Sequence, residues 1–297
     1  MRSATVYVPA TCGELVQGTL GCAHFLVSCP VDLFSAVTVE LADDGQVVAP
    51  ADAPKAAAAL RAAMRFFGVD GLGARLCIDS PIPRGKGMGS STADVAGAIY
   101  ALGLALGRQA EPSEVARLAV AVEPTNSSLF PNVALFDHRR GTVYEELGPP
   151  PSAEILVLDC GGEVDTLAYN AVDRGQLLRS LEPQAARALA LVREGIRRGD
   201  LGLVGEGATL SARTHQAVLP KPLLETAIAL GRCLGAAGAS VGHSGTVIGM
   251  LFPPEPGDRE TLAACFRTLL SDAVVLGWYH LVGGGCYCER QPPRRLP

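Results

Sequence analysis

The chain has 297 residues, of which 48% are hydrophobic and 19% are charged, with 34 glycines and 21 prolines. This composition is typical of a compact, loop-rich globular protein and excludes a disordered chain, a collagen and a coiled coil. The 25 Lys and Arg residues and 30 Asp and Glu residues give a net charge of −5, and no basic block occurs before a short C-terminal tail. We therefore expect no nucleic-acid partner, and the predicted partner is a small molecule.

No apolar run is long enough for a membrane-spanning helix, and the N-terminus lacks the pattern of a secretory signal. We therefore expect no membrane association and a cytoplasmic location. Nine cysteines are an odd number, and a chain of this length needs no disulfide staples, so free thiols are expected. Their spacing lacks paired C-x-x-C motifs, which argues against a zinc site. The oligomeric state is not encoded in any pattern we recognise.

Hydrophobic periodicity and turn residues divide the first half of the chain into strands and helices. In chain order, these are a strand at 5–8 that enters a tight loop at 9–13, a strand at 36–41, a helix at 54–67, a strand at 75–78, helices at 92–106 and 113–122, and strands at 129–136 and 142–146. Gly107 stands where a C-terminal helix stop is expected.

The Gly-Pro-Pro-Pro segment at 148–151 predicts a domain boundary, with one domain over residues 1–150 and a second over 151–297. The second half is predicted to contain a strand at 154–158, helices at 176–181, 184–197 and 222–234, and strands at 246–252 and 273–276. Neither half shows a steady β-α-β alternation. The sequence therefore predicts an α+β protein with largely antiparallel sheets.

The most informative segment runs from Pro81 to Ala93 and combines a strand end, a glycine loop, two serines and a helix start. Glycines let a ligand approach the backbone, and the N–H groups at a helix N-terminus favour an anion, so this segment suits a polyphosphate. Lys86 and the hydroxyls of Ser90 and Ser91 would add polar contacts. The alternative is a flexible loop whose serines cap the helix. The spacing matches neither a Walker A loop nor a dinucleotide fingerprint.

Pro83-x-x-x-Gly87-Met-Gly-Ser-Ser-Thr-Ala93 resembles the second motif of the GHMP kinases, a superfamily of small-molecule kinases. Residues 9–18, Pro-Ala-Thr-Cys-Gly-Glu-Leu-Val-Gln-Gly, lie where the first motif of that superfamily is expected, and the glycine-rich residues 238–249 lie where the third is expected. The resemblance implies an N-terminal domain like ribosomal protein S5, a ferredoxin-like C-terminal domain, and an active site in the cleft between them. It also implies ATP and Mg²⁺.

Within the superfamily, the chain most resembles the L-threonine kinase family of adenosylcobalamin synthesis. The matching segments are Cys12 to Gly18, Ser28-Cys-Pro-Val-Asp32, Lys86 to Asp94, Glu123-Pro-Thr125, Phe136-Asp-His-Arg139 and Gly242-His-Ser-Gly-Thr246. This resemblance implies ATP-dependent phosphorylation of the side-chain hydroxyl of L-threonine, which gives O-phospho-L-threonine for nucleotide-loop assembly. The alternatives are a kinase for another small alcohol such as homoserine, and a catalytically impaired binding protein.

The resemblance also implies roles for individual residues. The groups expected around the nucleotide are Pro83, Lys86, Gly87, Met88, Gly89, Ser90, Ser91 and Thr92. Ser90, Ser91 and Glu123 are the groups expected at the metal, and Lys86, Glu123 and Asn126 are the residues predicted to be catalytic. The residues expected at the amino-acid substrate are Glu14, Asp32, His243, Ser244, Gly245 and Thr246, with Asp32 as a possible partner for the ammonium group.

Asn126 departs from the expected pattern, because the resemblance predicts a catalytic aspartate after Glu-Pro-Thr. A carboxamide has no basic lone pair at neutral pH and cannot take the hydroxyl proton. Three interpretations are open. Positioning alone could suffice, with Asn126 orienting the hydroxyl, because phosphoryl transfer has a loose transition state. Another carboxylate, such as Asp32 or Asp137, could replace the base. Finally, the protein could be impaired or inactive.

Overall fold

The computed structural model describes residues 2–162 and 172–288, and ten strands of the described residues form one sheet. In chain order, the strands are β1 Ser3–Leu20, β2 Ala23–Ala42, β3 Val47–Val48, β4 Gly73–Asp79, β5 Val133–Asp137, β6 Tyr144–Gly148, β7 Glu154–Asp159, β8 Gly238–Val241, β9 Val247–Phe252 and β10 Val274–His280. The main path of the sheet is β10-β7-β9-β8-β1-β2-β4-β3, and β5 pairs with β2 and β6. All pairs except β3 with β4 are antiparallel, as the sequence predicts.

Helices pack on this sheet in both halves of the chain. They are α1 Pro54–Phe66, α2 Ser90–Ala105, α3 Pro112–Val120, α4 Gly175–Ser180, α5 Glu182–Arg198, α6 Leu201–His215, α7 Leu224–Cys233 and α8 Arg259–Leu269. In the described part of the chain, a 3-10 turn covers Ser127–Leu129. Helices α6 and α8 and strand β8 are absent from the prediction, because small residues and glycines obscure the helical period of α6 and β8 spans only four residues.

The predicted tight loop at residues 9–13 is wrong, because β1 continues through it to Leu20. The register between β1 and β2 shifts three times between Pro9 and Val16, so β-bulges absorb the irregular residues within one long hairpin. Gly13 has a φ of +61° and approaches the backbone of Val241 so closely that a Cβ would overlap it. The first motif is therefore a bulged strand that packs against β8.

The hydrophobic core joins the two halves of the chain. One cluster contains Val6, Leu15 and Ile99 from the first half together with Ile155 and Val192 from the second half. A smaller cluster lies between β7 to β9 and helices α7 and α8. Because β1 also pairs with β8 at Glu14 and Val241, the sheet passes from one half to the other close to the first motif. The predicted boundary at 148–151 falls between β6 and β7 and stays a prediction.

Helix α2 positions the site. Its side chains are almost all buried, and Gly97 lets Val37 of β2 pack so closely that a Cβ would overlap it. The helix ends at Leu106, and the next residue, Gly107, has a φ of +73°, in agreement with the predicted stop. No helix among residues 2–162 and 172–288 is long and apolar enough to cross a membrane. All nine cysteines are free, as expected.

Candidate active site

A cavity of about 370 Å³ lies at the N-terminus of α2, where the first, second and third motifs meet. Residues from β1, the start of α1, the glycine loop and the third-motif loop form its wall. The residues of the wall that bear on the chemistry are Thr11, Glu14, Lys55, Arg84, Gly87, Gly89, Ser90, Ser91, Asp94, Glu123, Asn126, His138, His243 and Ser244. The cavity is large enough for the reacting ends of two small molecules.

The glycine loop leaves the first turn of α2 open towards the cavity. Gly85, Gly87 and Gly89 have φ values of 72°, 83° and 72°, in the left-handed region where side chains are disfavoured. Gly89 is the N-cap of α2, and no side chain caps this helix, so the serines do not have the capping role of the alternative interpretation. The backbone N–H groups of the first turn are therefore available to an anion.

The glycine loop packs directly on the third-motif loop. A Cβ on Gly87 would lie 2.8 Å from the Gly245 Cα, and a Cβ on Gly245 would overlap the backbone of Gly87 and Lys86. The backbone N–H of Thr246 donates to the Lys86 carbonyl at 3.0 Å. Gly245 therefore supports the site through close backbone packing, and it does not line the cavity.

The side chains of Lys86 and Thr246 point to Asp159 at the end of β7. Lys86 Nζ lies 3.0 Å from Asp159 Oδ2, and the Thr246 hydroxyl donates to Asp159 Oδ1 at 2.5 Å. Burial favours a higher pKa for Asp159, but the hydrogen bonds from Thr246 and Lys86 outweigh it and lower that pKa. Neither side chain lines the cavity. Both hold the two loops together, and a phosphate contact by Lys86 stays a prediction.

Ser91 and Glu123 lie together, as the resemblance implies. The Ser91 hydroxyl donates to Glu123 Oε1, and Lys55 Nζ lies 2.5 Å from Glu123 Oε2. Glu123 is 6% exposed, so its charge needs these partners. The helices α2 and α3 bring the end of the Glu-Pro-Thr segment back to the start of α2.

The donor set at this point fits Mg²⁺. A carboxylate and hydroxyl oxygens are hard ligands, and Mg²⁺ in proteins often uses one or two carboxylates with waters and substrate phosphates. Ser90, Ser91 and Glu123 would hold the ion, which would neutralise phosphate charge there. No group of three or more His, Cys, Asp or Glu residues within the described ranges is arranged for a metal, so a cage made of protein alone is not what these residues offer.

Asn126 is held by the turn that follows it. Its Oδ1 accepts hydrogen bonds from the Ser128 N–H at 3.0 Å and from the Ser128 hydroxyl at 2.7 Å. The side-chain nitrogen lies beside Gly89, since a Cβ on Gly89 would be 2.8 Å from it. The amide group therefore faces the cavity with its nitrogen, which is a donor. It is placed to hold a hydroxyl oxygen but not to remove its proton.

Asp32 does not line the cavity, and its predicted substrate role stays a prediction. Its two oxygens accept from the His280 N–H at 2.7 Å and contact His280 Nδ1 at 2.8 Å, which ties β2 to β10. Asp137 is also engaged, because it accepts hydrogen bonds from the backbone of Arg139 and Arg140 and from Thr142. Neither carboxylate lines the cavity, so neither is placed to act as the replacement base.

Glu14 is the carboxylate that enters the cavity from β1. It is 4% exposed, and its Oε2 has no hydrogen-bond partner. Burial raises the pKa of Glu14 to about 8, with a smaller opposing effect from the hydrogen bond with Ser28. An uncompensated buried carboxyl of this kind is costly to the fold and is typical of a functional position.

His243 lines the same cavity and belongs to a group of neighbouring histidines. Its Nδ1 lies 2.6 Å from Gln17 Oε1, and its ring packs on His138 and His215 at centroid distances of 4.9 and 5.5 Å. Burial, followed by the neighbouring histidines, lowers the pKa of His243 well below its ordinary value. The ring is therefore a neutral hydrogen-bonding group at the active-site wall.

Sequence reasoning missed several cavity residues. Lys55 was visible as one of only three lysines, but nothing in the pattern connects the start of α1 with Glu123. Asp94 is one turn beyond the serines and accepts from the Ser35 hydroxyl at 2.7 Å, and burial raises its pKa. His138 lies in the matching Phe-Asp-His-Arg segment, yet its place on the wall depends on the pairing of β5 with β2.

Models of known families match both halves of the chain. The "GHMP kinases N terminal domain" matches residues 53–136, and "GHMP kinases C terminal" matches residues 192–270. The chain therefore belongs to the GHMP kinases and has their two-domain fold. It is a small-molecule kinase of a family that uses ATP as co-substrate.

Two relatives make the resemblance more specific. The chain is 35% identical to an L-threonine kinase of Salmonella typhimurium, over 84% of this chain and 82% of that protein. It is 33% identical to an L-threonine kinase of Citrobacter freundii, over 84% of this chain and 86% of that protein. Among solved structures, a homoserine kinase from Cytophaga hutchinsonii is similar with a TM-score of 0.75, at 18% identity over 97% of each chain. A mevalonate kinase of L. major has a TM-score of 0.69 at 15% identity, covering 95% of this chain and 96% of that one.

Proposed function

We propose that this protein transfers the γ-phosphate of ATP to the side-chain hydroxyl of L-threonine and so makes O-phospho-L-threonine. The observation that carries the proposal is the contact of Ser91 with buried Glu123 at the uncapped N-terminus of α2, beside the glycine loop. This arrangement combines an anion site with hard oxygen ligands for a cation. The identity to the two L-threonine kinases supports threonine as the acceptor, and supply of the cobalamin nucleotide loop follows only from that resemblance.

The residues of the cavity divide into three groups of roles. The backbone of residues 85–91 would bind the phosphates, with Pro83, Met88 and Thr92 shaping the loop around them. Ser90, Ser91 and Glu123 would hold Mg²⁺, which supplies charge neutralisation at the transferred phosphate. Asn126 would orient the acceptor hydroxyl through its side-chain nitrogen.

The amino-acid part of the substrate would lie against β1 and the third-motif loop. Glu14, His243 and Ser244 reach the cavity there from β1 and from the third-motif loop. The carboxyl of Glu14 replaces Asp32 as the group that can face an ammonium or hydroxyl of the substrate. Gly245 and Thr246 contribute by fixing the loop against residues 86 and 87.

The test is a coupled assay of ADP release with L-threonine, L-homoserine and L-serine, with and without Mg²⁺. We expect Mg²⁺-dependent turnover with the highest kcat/KM for threonine. Homoserine is the second candidate, because the fold matches the Cytophaga homoserine kinase over 97% of each chain. One methyl group contributes only about 1–3 kcal/mol to discrimination, so a homoserine preference of tenfold or more would reverse the assignment. Nucleotide binding without turnover of any acceptor would identify a non-catalytic binding protein.

A further inference from the structure

Glu14 lines the same cavity as Asn126, the position where an aspartate was expected. It pairs with Ser28 across the β1-β2 hairpin. Ser28 and Ser127 exchange two hydrogen bonds, since the Ser28 N–H donates to the Ser127 hydroxyl at 2.9 Å and the Ser127 N–H donates to the Ser28 hydroxyl at 3.1 Å. Ser127 directly follows Asn126. The carboxyl of Glu14 is therefore connected to the residue-126 side of the cavity through one pair of serines.

The other carboxylates of the cavity wall are already engaged. Among the described residues these are Asp52, which pairs with Arg84 at 2.9 Å, Asp94, which accepts from Ser35, and Glu123, which binds Lys55 and Ser91. Glu14 differs because its Oε2 is buried without any hydrogen-bond partner. A hydrogen bond with Ser28 lowers the pKa of Glu14 only in part, because burial has the larger effect. Glu14 also lines the cavity that would contain the proposed metal and phosphate groups.

We infer that Glu14 is the proton acceptor for the substrate hydroxyl. This inference rests on the proposed kinase function. In the step, the hydroxyl oxygen of the acceptor forms a bond to the γ-phosphorus of ATP, and the bond from that phosphorus to the β-γ bridging oxygen breaks, with its electron pair leaving on ADP. The hydroxyl proton moves to the Glu14 carboxylate and passes to solvent after the product leaves. Asn126 holds the hydroxyl, and Glu14 removes its proton.

The groups that face Glu14 leave it as the main titrating group near neutral pH. From β1 and β2 come Cys12 and Cys29, whose pKa values burial raises, to about 12 for Cys12. Burial lowers the pKa of His138 to about 3 and that of His243 well below its ordinary value. The described cavity wall has five further charged groups, Asp52, Lys55, Arg84, Asp94 and Glu123.

Lys221 is a second group whose pKa lies near neutral pH, so the pH profile of kcat needs a control for it. Its ammonium donates to the Gly242 carbonyl at 3.1 Å, next to His243, and burial lowers its pKa to about 8. A Lys221→Met variant therefore separates the two titrations. If Glu14 is the acceptor, the rise of kcat with pH between 6 and 9 persists in this variant and is absent from Glu14→Gln.

The decisive comparison is Glu14→Gln against the wild type and against Glu206→Gln, which changes an exposed glutamate on α6. General-base catalysis contributes about 10²- to 10⁴-fold, so kcat for threonine should fall at least 100-fold in Glu14→Gln. The KM values for threonine and ATP should stay within threefold, and the circular dichroism spectrum should be unchanged. A large rise in threonine KM with kcat within tenfold of the wild type would overturn the inference and make Glu14 an ammonium-binding residue.

A substrate analogue distinguishes the two roles a second time. The probe is 3-hydroxybutyrate, which is threonine without its ammonium group. A proton acceptor is needed for both substrates, so Glu14→Gln should lower the rate with 3-hydroxybutyrate by the same factor as with threonine. An equal rate in wild type and variant contradicts the inference. If the wild type phosphorylates no hydroxy amino acid, the proposed function itself fails, whereas an active wild type matched by Glu14→Gln removes only the role of Glu14.

Discussion

The stability of the wild type should fall as pH rises, and Glu14→Gln should remove this fall, although the substitution also removes a proposed catalytic group. Burial raises the pKa of Glu14 from 4.5 to about 8. Below pH 4.5 the carboxyl is protonated in both states and folding carries no penalty. Between pH 4.5 and 8 the unfolded state ionises while the folded state keeps its proton, so the wild type loses stability as pH rises. Above pH 8 the loss is complete.

The size of the effect follows from the shift, because one pKa unit corresponds to about 1.36 kcal/mol. The wild type should lose about 3 kcal/mol between pH 4.5 and pH 7 and about 5 kcal/mol by pH 8.5, and the glutamine variant should avoid this loss. The buried amide has its own cost of about 1–3 kcal/mol if it finds no partner, but that cost does not change with pH. The pH slope is therefore the informative quantity.

Urea unfolding at pH 5, 7 and 8.5, followed by circular dichroism, measures this slope. The free-energy difference between Glu14→Gln and wild type should move by several kcal/mol in favour of the variant across this range. Glu206→Gln, on the exposed surface of α6, should track the wild type at every pH. A difference between Glu14→Gln and wild type that stays constant from pH 5 to 8.5 would refute the reasoning, because it would mean that Glu14 ionises freely in the folded protein.

Three further substitutions test other parts of the site. Lys55→Met removes a cation from the cavity wall beside Glu123. A hydrogen bond to a charged group contributes about 1.5–3 kcal/mol, so we expect the KM for ATP, measured by initial rates, to rise about tenfold. Gly245→Ala would push the third-motif loop away from Gly87. Nucleotide affinity, measured by calorimetry, should therefore fall tenfold or more, and the free energy of unfolding should fall by about 1–3 kcal/mol. The control is Gly71→Ala, where the added Cβ meets no atom within 4 Å, and this variant should change neither the affinity nor the site. Asn126→Asp keeps the hydrogen bonds from Ser128 and should retain or increase kcat, and a large loss of turnover with intact folding would show that the position does not tolerate a proton acceptor.

The sequence was sufficient to predict a glycine loop that leads into the N-terminus of α2. Glycines and serines at a strand-to-helix junction have few structural solutions, and the open N-terminus of α2 is one of them. Glu123 could be predicted to lie beside Ser91 because two helices with short connections return the chain to the N-terminus of α2. That part of the site could be predicted because it depends on local conformational preferences and on the spacing of motifs along the chain.

The acceptor end of the site depends on sheet register, which the sequence does not encode locally. Asp32 looked free in the sequence, but the pairing around β2 places it against His280, 248 residues away. The bulges of β1 decide that Glu14 faces the cavity, because a one-residue slip would turn its side chain to the other face. The sequence predicts a loop at residues 9–13, which would end the first strand before the bulges, so it did not predict the direction of the Glu14 side chain.

The carboxyl at position 14 and the amide at position 126 also make electrostatic sense together. Two carboxylates in one desolvated cavity repel, and one of them is driven to keep its proton. With Asn126 in place of an aspartate, Glu14 is the acid of the described cavity wall that has a buried oxygen without a hydrogen-bond partner. In the double variant Glu14→Gln with Asn126→Asp, the new Asp would keep the Ser128 hydrogen bonds on one oxygen and direct the other towards Gly89. This restores one carboxylate to the cavity. The kcat of the double variant should therefore be at least tenfold higher than that of Glu14→Gln, which is a non-additive result in a double-mutant cycle. A double variant as slow as Glu14→Gln would mean that a carboxylate at residue 126 cannot replace Glu14 in accepting the hydroxyl proton.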